Sequence, residues 1–224
     1  MRHIRFLAGA FVALSILMVS TPVSGLAFAG MLSSATSGIL GTGNWILGGT
    51  TELSWSVVQN QDLTWHYEYT LDHPGGETSH FLLETSRTFT SDNIWDVDGD
   101  FEHVYVQSWT EQQGNPNLPG PVYGIKFDEA WGNHSTFSFT SDRAPVWGDF
   151  YSKDGQAGPY GINTAWNAGF LAADPVDAPA DGSISNHILV PDTGSGVPPV
   201  PEPSSLLLLG SGLLGFVASR RRKA

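Results

Sequence analysis

An antiparallel all-β sandwich is the fold that this 224-residue chain predicts, with a jelly roll as the alternative. Three observations carry it. Apolar and polar residues alternate with period two through most of the body. Clusters of Gly, Pro, Asn and Asp separate the alternating runs. No stretch of the body combines a 3.6-residue apolar period with the caps a helix needs.

The first run is TELSWSV, in which Leu53, Trp55 and Val57 face opposite to Glu52, Ser54 and Ser56. The clearest is LTWHYEYTL, where Leu63, Trp65, Tyr67, Tyr69 and Leu71 share a face against Thr64, His66, Glu68 and Thr70. Its aromatic and β-branched content suits a half-buried strand. SHFLLETS, HVYVQSW, VYGIKF, HSTFSFT, WGDFYSK and SNHILV read the same way, with turns at DHPGGE, DVDGD, QQGNPNLPGP and KDGQAGPYG. Eight tryptophans are present. Trp55, Trp65, Trp109 and Trp147 lie in strand runs and are expected in the core. Trp95 and Trp131 lie in polar, turn-rich surroundings, where an exposed ring offers a face for glycan stacking.

The ends have a different character. Arg2, His3 and Arg5 precede an apolar run over 6–19, and Ala27-Phe28-Ala29 then fits A-x-A cleavage. Residues 1–29 thus read as a signal peptide, with cleavage defined by Ala27 and Ala29, and imply the secretory translocon and signal peptidase as partners. The apolar run is short for a membrane span. The expected organisation continues as a β-sandwich domain over 30–190, a Pro/Gly/Ser linker over 191–200 and a distinct tail over 201–224.

Between leader and tail only Arg87, Lys126, Arg143 and Lys153 are basic, against all the acidic residues except Glu202. So acidic a surface repels nucleic acid and anionic headgroups, which excludes a DNA- or RNA-binding role, and it tolerates divalent cations. There is no cysteine, which excludes thiol nucleophiles, zinc–thiolate sites and Cys-x-x-Cys redox chemistry without arguing against export.

Within the body, Asp96, Asp98, Asp100 and Glu102 form the best metal candidate, alternate carboxylates on an expected loop that would suit Ca²⁺. An EF-hand numbered from Asp96 fails, because Phe101 and Gln107 stand where glycine and a bidentate acid are needed. No other cofactor is expected. The Asp192–Ser195 sequence DTGS imitates an aspartic-protease loop, but it sits in the linker without a second copy. His66, His73, His80, His103 and His134 show no metal-ligand spacing, and His3 and His187 are isolated near the ends. There is no G-x-S-x-G elbow and no phosphate loop in the body, and no carboxylate pair stands out for glycoside hydrolysis. The body is therefore read as non-enzymatic.

The tail places Pro201-Glu202-Pro203 directly before an apolar segment over 204–219, which is closed by Arg220, Arg221, Arg222 and Lys223. As a helix the segment would be about 24 Å long at 1.5 Å per residue, short of a hydrocarbon core of about 30 Å. Its terminal arginines would lie on the cytoplasmic side, with the body outside. Gly210, Gly212 and Gly215 lower its helix propensity, which fits transient insertion better than a permanent anchor.

This three-part order closely resembles the PEP-CTERM sorting signal of Gram-negative bacteria. The resemblance implies recognition and processing near the Pro-Glu-Pro by a membrane-embedded protease-transpeptidase, exosortase. It also implies delivery to the cell surface or to an exopolysaccharide matrix such as that of a biofilm. Glu202 and its flanking prolines would be the recognised element and the basic cluster the stop. Val190-Pro191-Asp192-Thr193-Gly194 nearly matches the L-P-x-T-G of sortase signals, an alternative that the adjoining Pro-Glu-Pro and glycine-rich segment disfavour. Beside the surface-protein reading stand a secreted carbohydrate-binding module, calcium-dependent in one form and binding extracellular polysaccharide, and a secreted glycosidase.

Overall fold

The computed structural model describes residues 25–129, 132–158 and 160–191. The chain folds as an all-β sandwich of antiparallel strands, the class that alternation predicts. Its strands are β1 (Ala27–Ser33), β2 (Ile39–Thr42), β3 (Glu52–Gln59), β4 (Trp65–Asp72), β5 (Thr78–Glu84), β6 (Ile94–Gly99) and β7 (His103–Trp109). They continue as β8 (Val122–Asp128), β9 (His134–Ser141), β10 (Pro145–Gly148), β11 (Phe150–Gly158), β12 (Gly161–Asn167) and β13 (Ile188–Pro191). The one α-helical element among the described residues is the single turn α1 (Asn44–Leu47). No helix among these residues is long and apolar enough to cross a membrane.

One sheet has the order β1-β3-β4-β9-β6 and the other β2-β12-β11-β5-β8-β7, with β10 and β13 paired separately. The main core lies between the two larger sheets. Leu53, Trp55, Val57, Trp65, Tyr67, Tyr69, Phe137 and Phe139 come from the first, Phe81, Leu83, Ile125, Phe127 and Phe150 from the second, all buried. Rings meet across the interface: Phe137 of the first sheet lies with its centroid 4.3 Å from that of Phe127 and 5.1 Å from that of Phe81, and within the second sheet Phe81 stacks on Phe150 at 5.4 Å. Such pairs add directional attraction to the area they bury. Trp147 on β10 and Ile188, Leu189 and Val190 on β13 join the same core.

The six-stranded sheet is buried on its second face too. Leu82, Trp109, Val122 and Tyr151 of its strands pack there with Leu118 and Phe170, which the loops at 110–121 and 168–187 bring over. This explains why β5 buries Thr78 and His80 as well as Phe81, Leu82 and Leu83. A strand covered on both sides loses the simple in–out alternation.

Two boundaries move. β1 begins at Ala27, ahead of the Gly30 expected as the start of the domain. Ala27, Phe28 and Ala29 pair with Val58, Val57 and Ser56, and Phe28 stacks on Trp65 with centroids 6.3 Å apart. At the other end Pro191, expected in the linker, closes β13 opposite Pro145. DVDGD, expected as a turn, lies largely in the edge strand β6. A register shift between Trp95 and Asp98, with Asp96 at φ 50° and Gly99 at φ 131°, lets these turn-type residues lie against β9.

Candidate functional site

The expected calcium ligands do not converge. Asp96 and Asp98 are exposed on β6 around the bulge, and Asp100 Oδ2 accepts the Thr136 amide at 2.9 Å. Glu102 lies instead near His103 and Glu129 in an exposed trio. Among the described residues, the four carboxylates form no set with mutually close ligand atoms. Bulged strand geometry, with one acid taken by a backbone amide, replaces the open loop that calcium would need. Trp95 is 36% exposed on the edge strand. Trp131 lies outside the described residues, as do Pro201, Glu202, Pro203, Arg220, Arg221, Arg222 and Lys223. Ala27 and Ala29 lie within β1, with the Ala29 amide donating to Asp181 Oδ1 and the Ala29 carbonyl accepting from Gly182 N–H.

A different constellation is assembled by the fold. Glu84 ends β5, Asp149 separates β10 from β11, and Asp174 and His187 come from the long segment between β12 and β13. Glu84 and Asp149 are clamped by two bonds. The Glu84 amide donates to the Asp149 carbonyl at 2.9 Å, and the Asp149 amide donates to Glu84 Oε2 at 3.1 Å. Asn167 Nδ2 then donates to Asp149 Oδ1 at 2.6 Å and to the Asn186 carbonyl at 2.9 Å, while its Oδ1 accepts the Phe150 amide. The sheet thus aims Asp149 through a side chain that also holds the returning loop.

His187 is set by a tight turn. Ser185 and Asn186 both have positive φ, the pattern of a I′ turn, and the His187 amide donates back to the Ile184 carbonyl. The ring Nδ1 faces the same carbonyl at 3.3 Å. As donor there it leaves Nε2 with the lone pair. Nε2 lies 3.6 Å from Asp149 Oδ1 and 3.6 Å from Asp174 Oδ1, with the imidazole wholly buried. It makes no hydrogen bond among the described residues. Gly169 makes the close approach of the loop feasible: a Cβ there would stand 2.6 Å from His187 Cε1 and 2.7 Å from the Ser185 carbonyl oxygen.

Electrostatics at this point are unfavourable for the protein alone. Burial, reinforced by Asp174 and Asp149, pushes the Glu84 carboxyl up to about 8. Burial also pushes Asp149 up to about 6, against the opposing effects of the Asn167 bond and of His187. Asp174, 41% exposed at its side chain, is raised by the same desolvation. Elsewhere, Lys126 bonds Asp128 at 2.8 Å and Arg143 lies 3.9 Å from Asp142. The ion pairs of the described residues bring no lysine or arginine to the four-residue group.

The spacing 84–149–174–187 matches no sequential ligand motif, and His187 reads as isolated in the sequence. Only the acidity of the body hinted at a cation-tolerant site.

No curated protein and no solved structure gives a significant match to the chain. The family model of the PEP-CTERM protein-sorting motif matches residues 199–223, the stretch whose three-part order carried the resemblance. This β-sandwich chain therefore carries the PEP-CTERM protein-sorting motif, the mark of an exported protein sorted through exosortase-type processing.

Proposed function

We propose that the chain is a non-catalytic protein of the cell surface or exopolysaccharide matrix, released to that location by processing at Pro201-Glu202-Pro203. The observation that carries the reading is the sorting motif at 199–223. It follows a domain whose acidic surface favours solubility outside the cell. In this reading the apolar segment holds the chain at the membrane while Pro201-Glu202-Pro203 is presented, and Arg220, Arg221, Arg222 and Lys223 set its orientation. Replacing the three motif residues with alanine is expected to leave an unprocessed, membrane-retained chain in a host that has exosortase. Processing at the normal rate would overturn the proposal.

A glycan-binding role for the same domain is favoured by one observation. Trp95 on edge strand β6 and Tyr105 on edge strand β7 expose 36% and 46% of their surface. Exposed rings offer flat apolar faces to sugar rings. Loss of polysaccharide retention in Trp95→Ala and Tyr105→Ala, with the fold intact, supports that role. Unchanged retention removes it.

A further inference from the structure

We propose that Asp149, Asp174 and His187 form a binding site for a divalent metal ion that accepts nitrogen as well as oxygen ligands, Zn²⁺ or Mn²⁺ in preference to Ca²⁺. The site ties the loop at 168–187 to the six-stranded sheet.

The first ground is the state of His187. Its ring is fully buried, its Nε2 has no hydrogen-bond partner among the described residues, and that atom faces two carboxylate oxygens at 3.6 Å each. A neutral imidazole with Nδ1–H given to a backbone carbonyl directs a lone pair at two negative oxygens, a repulsive arrangement unless something positive lies between them. Nδ1–H donated to a carbonyl is also how ligating histidines are normally held.

The second ground is spacing. The nitrogen and the two carboxylate oxygens all lie within 4.8 Å of one another. Ligands at about 2.0–2.1 Å in a tetrahedron stand roughly 3.4 Å apart, so the two 3.6 Å separations need little adjustment to receive an ion. Asn167 fixes Asp149 from behind, and Glu84 holds the Asp149 backbone through the bond from the Asp149 amide to Oε2. With Asp174 half exposed, the ion has a route from solvent and room for a water to complete its shell. The imidazole decides the class of ion: hard Ca²⁺ and Mg²⁺ take oxygen ligands, whereas imidazole with carboxylates suits first-row transition ions.

The third ground is architectural. The segment between β12 and β13 is long and irregular, and loops of that length in compact domains are uncommon and usually functional where they are ordered. Asp174 lies about a third of the way along it and His187 at its end, while Asp149 immediately precedes β11 of the sheet. One ion bound by all three would fasten the loop that also brings Phe170 onto the outer face of the sheet.

The test uses the full-length chain in detergent, stripped with EDTA and dialysed separately against Zn²⁺, Mn²⁺ and Ca²⁺. Bound metal is measured by elemental analysis and folding by circular dichroism. About one Zn²⁺ or Mn²⁺ per chain is expected, together with a higher melting temperature for the loaded form. Asp174→Asn, on the half-exposed loop, is expected to keep its fold and weaken binding roughly 100-fold or more. His187→Gln should do the same where it folds. Glu129→Gln, in the exposed trio with Glu102 and His103, should leave binding unchanged. Absence of stoichiometric metal, binding of Ca²⁺ alone, unchanged binding in folded Asp174→Asn, or loss of binding in Glu129→Gln would each overturn the site. An imidazolium resting between the two carboxylates without any ion gives the first of these results. None of these readouts depends on processing of the tail.

Discussion

The Tyr69 hydroxyl donates to the Leu189 carbonyl at 2.7 Å, joining the middle of β4 to β13 across 120 residues of chain. Tyr69 is fully buried, and burial holds its hydroxyl protonated well above the usual tyrosine range. Removing the hydroxyl leaves a buried carbonyl without that donor while keeping the ring that packs on Phe137 at 5.2 Å. Tyr69→Phe is therefore expected to cost about 1–2 kcal/mol. Urea unfolding with unchanged near-ultraviolet dichroism checks it; a variant as stable as the parent would mean that the bond contributes nothing net.

β1 makes a prediction about the mature amino terminus. Cleavage after Ala29 would remove the Phe28–Trp65 stack and the three ladder pairs at Ala27, Phe28 and Ala29. It would leave Gly30 at the start, where the backbone passes so close to Trp55 that a Cβ would stand 2.2 Å from its ring. A chain beginning at Gly25 is expected to be more stable than one beginning at Gly30 by a few kcal/mol, of the order of burying one large aromatic side chain. Intact mass of the exported protein is expected to show that Leu26 to Ala29 are retained. A mature start at Gly30 with equal melting temperatures for the two chains would contradict this.

Gly169 offers the smallest perturbation of the His187 loop. Its added Cβ would press on the imidazole and on the Ser185 carbonyl, and the turn at 184–187 has little freedom to retreat. Gly169→Ala is expected to destabilise the domain by about 1–3 kcal/mol, the usual range for overpacking. Differential scanning calorimetry measures the loss.

Acid sensitivity should be traceable to His73. This buried ring stacks on Trp45 at 3.9 Å, and its two nitrogens meet the Gly75 carbonyl and the Thr78 hydroxyl. Burial is the main cause that lowers its pKa from 6.5 to about 4, against the Gly75 bond and the charges of Asp154 and Asp72. The unfolded chain thus binds a proton that the fold resists. The stability linked to neutral His73 is fully present above pH 6.5 and is lost as pH falls toward 4, by at most about 1.4 kcal/mol per pH unit. Denaturation midpoints from pH 7.5 to 4 should fall less steeply for His73→Gln than for the parent; parallel curves would refute the assignment.

Sequence by itself determined the class of fold, most of its core and the nature of the tail. Strand alternation is a local property, so Trp65, Tyr67, Tyr69 and Leu71 could be assigned to one face before any partner was known, and all four are buried; Leu63, read on the same face, precedes β4 in a turn at φ 71° and is 72% exposed. The sorting motif is likewise contiguous and legible as a short string. Only the tertiary structure decided that β5 is covered on both faces, that the chain at 96–102 is spent on a bulged edge rather than a cation loop, and that β1 reaches back to Ala27. It also decided the grouping of Glu84, Asp149, Asp174 and His187. Strand order brings the first two together, and a returning loop brings the others. The physical reason is common to these cases: local periodicity orients a side chain, but the path of the chain chooses its neighbours, and charge and desolvation act between neighbours.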